Sequence, residues 1–235
     1  MKSRSGRFSI NAARLRKTIA QCVLTTFLLC TLTVGSKNAR AQAVMPHAGS
    51  LDTNFGNGGK VVTDFGGPIA EGQSLVVQPD GKLVVAGRSS SNAGSIFALA
   101  RYNSDGSLDP SFGSGGKVTT AFPQGDSEIL AMTLQQDGKI VAAGDTGGSA
   151  NHGVMAVARY NPDGTLDQAF GTGGQATVDF GAGFHTAFAI GVQPDGKIVL
   201  AGTALLMPPS FTSSQFGLAR LNPNGTLDPG FGNGG

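Results

Sequence analysis

A motif of 18 residues that returns along the chain is the feature that most constrains the fold. It reads ARYNSDGSLDPSFGSGGK from Ala100, ARYNPDGTLDQAFGTGGQ from Ala158 and ARLNPNGTLDPGFGNGG from Ala219, and its second half occurs earlier as SLDTNFGNGGK from Ser50. The four copies of its central aspartate are 57, 58 and 61 residues apart: Asp52, Asp109, Asp167 and Asp228. A fixed period of this length indicates a repeat architecture, so the fold must be built from equivalent units.

The first 43 residues have a different composition, with eight basic residues, no acidic residue and an apolar run from Ile19 to Val34. That run is short for a membrane-spanning helix, and small residues follow it in the order Ala39-Arg40-Ala41-Gln42-Ala43. We therefore predict that residues 1–43 are a signal peptide, cleaved after Ala41 or Ala43, and that residues 44–49 are a short linker. The protein is then secreted, periplasmic or held at the cell surface; a retained membrane anchor is the alternative.

Removal of this segment reverses the net charge. The whole chain has 17 basic and 15 acidic residues and a charge of +2, whereas residues 44–235 keep 9 basic residues against all 15 acidic ones, or about −6. Nucleic acid and anionic lipid are poor partners for such a chain, and we expect no stable membrane insertion after cleavage. Both cysteines, Cys22 and Cys30, are lost with the segment, so the remaining chain contains no disulfide.

Each period contains four short strands separated by turn residues. In the first period we predict strands over residues 60–65, 72–78, 82–87 and 96–102. The second and third are joined by Gln-Pro-Asp-Gly-Lys at residues 78–82, and the turn returns at 135–139 and 193–197. Asp-Gly between two apolar strands indicates a hairpin. The third strand (LVVAG, IVAAG, IVLAG) is continuously apolar, which is typical of a strand covered on both faces.

Four-stranded antiparallel sheets repeated around an axis make a β-propeller. We therefore predict an all-β, propeller-like array over residues 50–235, with repeats at 50–106, 107–164 and 165–225 and a partial fourth at 226–235. A β-solenoid is the alternative, although its periods are usually shorter. Three complete units do not close a ring in one chain, so we expect an open or truncated array, with oligomeric closure as the alternative. Open terminal blades expose apolar faces, which favours marginal stability or self-association through those blades.

The combined motif resembles a known repeat family. It consists of Gln-Pro-Asp-Gly-Lys, an apolar run and Ala-Gly, followed by Leu-Ala-Arg-Tyr-Asn-x-Asp-Gly-x-Leu-Asp-x-x-Phe-Gly, and it is similar to the delta-60 repeat of bacterial secreted and surface proteins. The resemblance covers residues 50–235. It implies a propeller-like fold outside the cytoplasm and supplies no catalytic residues.

The glycine-rich motifs do not predict a cofactor. They precede strands rather than helices and lack the Lys-Ser/Thr of a phosphate-binding loop. The loop at residues 103–109 places oxygen atoms at alternating positions, as calcium loops do, but it lacks a distal glutamate, and its third copy replaces the middle carboxylate by Asn224. We interpret it as a turn whose Asn and Asp side chains bond their own backbone, with calcium as the alternative.

The side chains that recur once per period are interpreted as architectural. An arginine at the end of the last strand (Arg101, Arg159, Arg220) can pair with the motif aspartate, and the motif phenylalanines (Phe55, Phe112, Phe170, Phe231) can pack between blades.

Binding is expected where the repeats differ. The distance from the Gly that ends the third strand to the recurring arginine is 14, 15 and 18 residues in the three periods, and the loop between the first two strands changes its chemistry. In an up-and-down sheet both loops lie at one edge. The candidate binding residues there are Glu71, Asp126, Glu128, His152, Phe184 and His185. The two histidines have no clear third ligand, so we interpret them as surface residues, with a metal pair as the alternative.

The sequence thus predicts a binding or structural module for a protein or glycan ligand, without enzymatic activity. The alternative is a propeller enzyme, a lyase or hydrolase that acts on a polysaccharide or lactone. An enzyme would gather several of Asp126, Glu128, His152 and His185 within hydrogen-bonding reach.

Overall fold

The computed structural model of the chain describes residues 49–91, 94–149, 152–206 and 213–235. The predicted signal peptide, both cysteines and most of the predicted linker lie outside the described residues. The described residues form strands and turns, and they include no helix long and apolar enough to cross a bilayer. The strands are β1 (Ile69–Val77), β2 (Leu83–Ser91), β3 (Gly94–Tyr102), β4 (Lys117–Thr120), β5 (Ser127–Leu134), β6 (Ile140–Ser149), β7 (His152–Tyr160), β8 (Gln175–Val178), β9 (Gly183–Val192), β10 (Ile198–Leu206) and β11 (Ser213–Leu221).

The strands form three antiparallel up-and-down sheets, which confirms the all-β, propeller-like fold. The first sheet has the order β1-β2-β3-β4, the second β5-β6-β7-β8, and the third β9-β10-β11. A short parallel pairing of residues 152–153 with residues 183–184 joins the second sheet to the third. In the described part of the chain no strand of the third sheet pairs with a strand of the first, so the array is open.

The fourth strand of a sheet comes from the following period. β4 and β8, each predicted as the first strand of a repeat, pair with the last strand of the repeat before, β3 and β7. The reason is that the 18-residue motif reverses the chain, so the residues after it return along the strand that preceded it. The predicted strand over residues 60–65 is wrong, because this segment pairs with no described strand and has only an isolated bridge from Gly56 to Lys60.

The Asp-Gly turns form the predicted hairpins. In the first, the Gln78 N–H donates to the Lys82 carbonyl (2.8 Å), the Lys82 N–H donates to the Asp80 carboxylate (3.1 Å), and Gly81 has a φ of 83°. This φ is one that side chains rarely adopt, which explains the glycine. The turns at residues 135–139 and 193–197 repeat the same bonds.

Two apolar layers hold the three sheets face to face. Phe97 and Leu99 of β3 contact the core of the second sheet around Ile129 and Ile140. Met155 and Val157 of β7 occupy the same places toward the third sheet. All of these residues are fully buried, so the second sheet is covered on both faces, as its apolar third strand predicted.

A bulge next to an invariant glycine positions the first strand of each sheet. Pairing between β5 and β6 shifts register between Ile129 and Ala131, and the shift brings the Glu128 carbonyl against Gly144. A Cβ on Gly144 would lie 1.9 Å from that oxygen. A Cβ on Gly87 or Gly202 would lie equally close, 1.9 Å, to the equivalent carbonyl oxygen of the first strand of its sheet. This close approach explains why the apolar strand ends in Ala-Gly each time.

Candidate functional site

The turns of the three sheets lie at two opposite edges. At one edge are the Asp-Gly hairpins and the 18-residue motifs; we call it the repeating edge. At the other are the connections after β2, β4, β6 and β8; we call it the variable edge. At the variable edge the connection after β4 contacts the ends of two strands: the Ser95 N–H of β3 donates to the Asp126 carboxylate (2.8 Å), and the Gly147 N–H of β6 donates to the Asp126 carbonyl (2.9 Å).

An Arg–Asp–Phe cluster recurs at the repeating edge. Arg159 Nε donates to Asp167 Oδ2 (2.7 Å), its Nη1 donates to the Pro223 carbonyl of the next repeat (2.6 Å), and its guanidinium lies 4.7 Å from the centre of the Phe170 ring. Lys139 Nζ also reaches the Asp167 carboxylate (3.0 Å). Equivalent clusters form at Arg101–Asp109–Phe112 and Arg220–Asp228–Phe231. The predicted pairing of the recurring arginine with the motif aspartate is confirmed in these three copies. Phe112 and Phe170 pack in the two apolar layers between sheets, as predicted, whereas Phe55 and Phe231 belong to neither layer.

The cluster stabilises charged aspartate. Burial alone would raise the pKa of Asp167, but the Lys139 ammonium, the Ala169 N–H and the Arg159 guanidinium together hold it below its usual value. The Lys197 ammonium and the Gly230 N–H lower the pKa of Asp228 to about 2. These carboxylates are therefore charged and paired at neutral pH.

The motif turns behave as predicted. The Asp105 carboxylate accepts hydrogen bonds from the Ser107 N–H (2.9 Å) and hydroxyl (2.7 Å), and Asn224 makes the same bonds with Thr226 in the third copy. Within the described ranges no group of three or more His, Cys, Asp or Glu side chains suits a metal ion.

Arg88 connects two predicted site residues at the variable edge. Its guanidinium contacts Glu71 of β1 (3.0 Å) and Glu128 of β5 (3.5 Å), so it links the first sheet to the second. Glu71 and Glu128 are equivalent residues on the first strands of their sheets, opposite Arg88 and Asp145. The third sheet has Thr186 and Thr203 in these places, so the charges are not repeated there.

Asp145 is a partly buried carboxylate at the variable edge. Burial, with the nearby negative charge of Glu128, raises the pKa of Asp145 to about 6, although a hydrogen bond with the Thr186 side chain opposes the shift. Its folded pKa therefore exceeds the value of about 3.9 expected in the unfolded chain. Stability that depends on protonated Asp145 is present below about pH 4 and is lost as the pH rises through 6.

We expect Asp145→Asn to raise the free energy of unfolding at pH 7 by about 1 kcal/mol, because the amide removes the cost of a poorly solvated charge. The variant should also lack the decline of stability between pH 4 and 6 that Asp145 causes. Urea unfolding followed by circular dichroism at several pH values measures both effects. Asp195→Asn, in an exposed hairpin turn, is the control; equal behaviour of the two variants would contradict the role of Asp145.

His152 and His185 meet at a carboxylate that the sequence did not single out. Nε2 of His152 lies 3.3 Å from the Asp179 carboxylate and Nε2 of His185 lies 3.6 Å from it, with the ring centres 6.4 Å apart. Nε2 of His185 also lies 2.9 Å from the Gly181 carbonyl, and the ring contacts Phe180 at 5.5 Å. Asp179-Phe180 repeats Asp64-Phe65 of the first period, and this recurrence is the signal that could have identified Asp179.

The two histidines differ in exposure. His152 and Asp179 have side chains that are 46% and 51% exposed, whereas His185 is fully buried. The interpretation of His185 as a surface residue is therefore wrong. The reason is that β9 begins at Gly183, two residues before His185, so the ring lies between sheets instead of in a loop. Its Nδ1 is buried and has no hydrogen-bond partner among the described residues.

The other predicted site residues also lie on strands more often than in loops. Asp126 is in a connection, but the strands reach further toward the variable edge than predicted and include the remaining five: Glu71, Glu128, His152, Phe184 and His185. The structure brings His152 and His185 together, and it places Phe184 opposite Gly153 through the parallel pairing of β7 and β9. Asp126 and Glu128 make separate contacts, with Ser95 and Arg88.

A cleft of about 320 Å³ opens beside His152 at the variable edge. Its lining consists of Gln124, Thr146, Gly147, His152, Val154, Thr177 and Asp179. A larger cleft of about 450 Å³ lies between the hairpin turns near residues 135 and 193 at the repeating edge. The polar groups of that cleft belong to the turn motif found in every sheet, so the candidate site is the cleft with non-repeated chemistry.

A family model described as a domain of unknown function, DUF5122 β-propeller, matches the chain three times, over residues 78–112, 135–170 and 193–231. Each match begins at an Asp-Gly hairpin turn and ends at the phenylalanine of an Arg–Asp–Phe cluster. No curated protein is significantly similar to the chain. The resemblance to the delta-60 repeat is confirmed: each of the three repeats of this chain matches the DUF5122 β-propeller model, a domain of unknown function.

Proposed function

We propose that the chain is a secreted or cell-surface binding module that holds a glycan at its variable edge, in the cleft beside His152 and Asp179. The observation that carries the proposal is the cluster of His152, Asp179 and His185. Among the described residues this cluster occurs once, whereas the repeating edge has the same Arg–Asp contact in all three sheets. A fixed framework that presents individual side chains is the usual arrangement of a binding surface.

The chemistry of the cleft suits a ligand rich in hydroxyl groups. Gln124 offers an amide, Thr177 a hydroxyl, and His152 and Asp179 an imidazole and a carboxylate. Thr146 also lines the cleft, but it is 1% exposed and its hydroxyl donates to the Gly125 carbonyl. The cleft therefore combines donors and acceptors in a small space, which suits hydroxyl groups because each of them can both donate and accept. The half-exposed side chains of His152 and Asp179 are accessible without movement of a strand.

A propeller enzyme, a hydrolase or lyase that acts on a polysaccharide or lactone, is the second candidate. The contact of Asp179 with two imidazoles favours it, because a carboxylate beside a histidine is a common way to orient a general base. Asp126 and Glu128, which an enzyme would gather at the same place, are instead held by Ser95 and Arg88. Binding without turnover is therefore the function that the geometry supports best.

The proposal is tested by screening the exported protein against an array of glycans and measuring the affinity of each hit by calorimetry. We expect Asp179→Asn and His152→Ala to weaken binding at least about tenfold, since each removes a hydrogen bond that involves a group able to carry charge. Asp137→Asn is the matched control, because the Asp137 and Asp179 carboxylates both accept a backbone N–H two residues later. Equal loss in the control, or no glycan bound, would contradict the proposal. Release of new reducing ends or unsaturated sugars would establish the enzyme instead.

A further inference from the structure

The outer face of the third sheet exposes apolar side chains at positions that are buried elsewhere in the chain. Phe216 and Leu218 of β11 are 102% and 50% exposed. Through the pairing registers they are equivalent to residues of β3 and β7 that are all 0% exposed: Phe97, Leu99, Met155 and Val157. The third sheet thus presents the face that the first and second sheets use to contact their successor.

The first sheet presents the complementary face. Leu75 and Val77 of β1 are 55% and 60% exposed, whereas Met132, which is equivalent to Leu75, is 8% exposed beneath the first sheet. Leu134, the equivalent of Val77, packs against the same core. The two open ends of the array are therefore the two halves of an interface that already occurs twice within the chain.

Residues 60–65 have the sequence position of β4 and β8 but no strand partner among the described residues. They nevertheless contact the first sheet in the same way that β4, the outer strand of the first sheet, contacts the second sheet. The Thr63 hydroxyl lies 2.6 Å from the Tyr102 hydroxyl, and the equivalent Tyr160 hydroxyl donates to Thr120 at 2.9 Å. Lys117 Nζ donates to the Asp64 carbonyl (2.9 Å). This segment is already placed to act as the outer strand of a preceding sheet.

Among the described residues, the outer edge of β11 has no partner strand. The Arg220 N–H donates to the Gly235 carbonyl (2.8 Å), as the Arg101 N–H donates to the Gly116 carbonyl (2.9 Å) just before β4 begins. In the first sheet Val118 of β4 lies opposite Leu99 of β3, and Leu218 is the equivalent of Leu99 in β11. A strand that paired with β11 in the same register would therefore place its equivalent of Val118 opposite Leu218.

We propose that two copies of this chain associate head to tail, and that residues 60–65 of each copy form the fourth strand of the third sheet of the other. Val61 of one copy then lies opposite Leu218 of the second copy. Phe216 packs on Phe65 of the second copy, as Phe97 packs on Phe122 with ring centres 4.8 Å apart. Two such junctions related by a two-fold axis would close six sheets into a ring, within the usual range of four to eight blades.

At each junction two equivalent motif loops, residues 51–59 of one copy and residues 226–235 of the other, would occupy the same position, so one of them must be displaced. The Gly56 N–H donates to the Asp105 carbonyl (2.7 Å), just as the N–H groups of Gly113 and Gly171 donate to a carbonyl of the following motif. At the junction the equivalent Gly232 N–H of the second copy would need the same Asp105 carbonyl. The loop at residues 51–59 is held less strongly than residues 226–235. Its Asp52 has no cationic partner in the described part of the chain, whereas Asp228 contacts both Lys197 and Arg220. Residues 51–59 are therefore the loop that is displaced.

The state of association tests the proposal. We expect the full chain to elute as a dimer in size-exclusion chromatography with light scattering, and the double variant Phe216→Gln, Leu218→Gln to elute as a monomer. Both side chains are largely exposed within one copy, so the variant should keep its circular dichroism spectrum. Its melting temperature should fall, because the stabilisation that comes from association is lost. Val62→Thr is the control, because the equivalent residues are Thr119 and Thr177 and are exposed. A monodisperse wild-type monomer, or a dimer that survives the double variant, would overturn the proposal.

A disulfide locates the junction. In a background with Cys22→Ser and Cys30→Ser, the pair Val61→Cys and Leu218→Cys should form under oxidation and double the mass in a non-reducing gel, because directly opposed residues of paired strands match disulfide geometry. The pair Val62→Cys and Leu218→Cys is the control, since a shift of one residue moves the side chain to the other face of the sheet. An intrachain disulfide, a ladder of larger species, or equal crosslinking in the control would each contradict the closed pair.

Discussion

Asp167→Asn is expected to lower the free energy of unfolding at pH 7 by about 3 kcal/mol, because it leaves Arg159 without its charged partner. Arg159 is 7% exposed, so solvent cannot replace the lost carboxylate. Lys139 loses a contact of 3.0 Å at the same time. Urea unfolding followed by circular dichroism measures the difference.

The pH dependence of the same variant gives a second measurement. The folded pKa of Asp167 lies below its unfolded value of about 3.9, so its stabilisation is fully present above that pH and is lost as the pH falls through the folded pKa. The wild type should therefore approach the variant in acid. Asp163→Asn is the control: Asp163 lies in an exposed motif turn whose third copy is naturally Asn224, and little change in the free energy of unfolding is expected. Equal losses in the two variants would show that the paired cluster is not what stabilises the repeat.

Gly144→Ala is expected to cost about 3 kcal/mol, the upper part of the range for an overpacked interior. Its Cβ would lie 1.9 Å from the Glu128 carbonyl oxygen and 2.9 Å from the carbonyl carbon. Both atoms are backbone of the bulged strand β5, so relief requires movement of β5 away from β6. The loss can be measured as a fall in melting temperature and in the urea midpoint.

Gly191→Ala separates this steric effect from the general properties of glycine in strands. Gly191 lies in β9, has no positive φ, and has open space where a Cβ would be added. Alanine there should be neutral or stabilising by about 0.5 kcal/mol, because it restricts the unfolded chain. A loss at Gly191 as large as that at Gly144 would indicate that the bulge is not the cause.

Much of the fold could be predicted because the same local chemistry recurs. The Asp-Gly turns, the apolar third strands and the pairing of Arg159 with Asp167 each depend on residues close in sequence, and repetition confirms each signal several times. The pairing of β4 with β3 could not be read in this way. A period identifies equivalent residues but not where one sheet ends, and the reversal by the 18-residue motif is a property of its backbone.

The candidate site was less predictable because it depends on contacts between sheets. Differences among the repeats identified His152 and His185, but the carboxylate between them comes from Asp179, which follows β8 and is 27 residues from His152 in sequence. Burial of His185 depends on where β9 begins, and strand ends are not specified by a hydrophobic pattern alone. The pKa of Asp145 likewise depends on Thr186 of the next sheet.

The offset between sheets and periods has a consequence for how such genes change in length. Since every complete sheet joins three strands of one period to one strand of the next, a duplication or loss of one whole period leaves each remaining sheet with the same four kinds of strand, wherever within the period the breakpoints fall. Unequal recombination between repeats can therefore add or remove a blade in a single event without creating an unpaired strand inside the array. Copy number is then free to vary between related genes, while the residues that make each blade are retained.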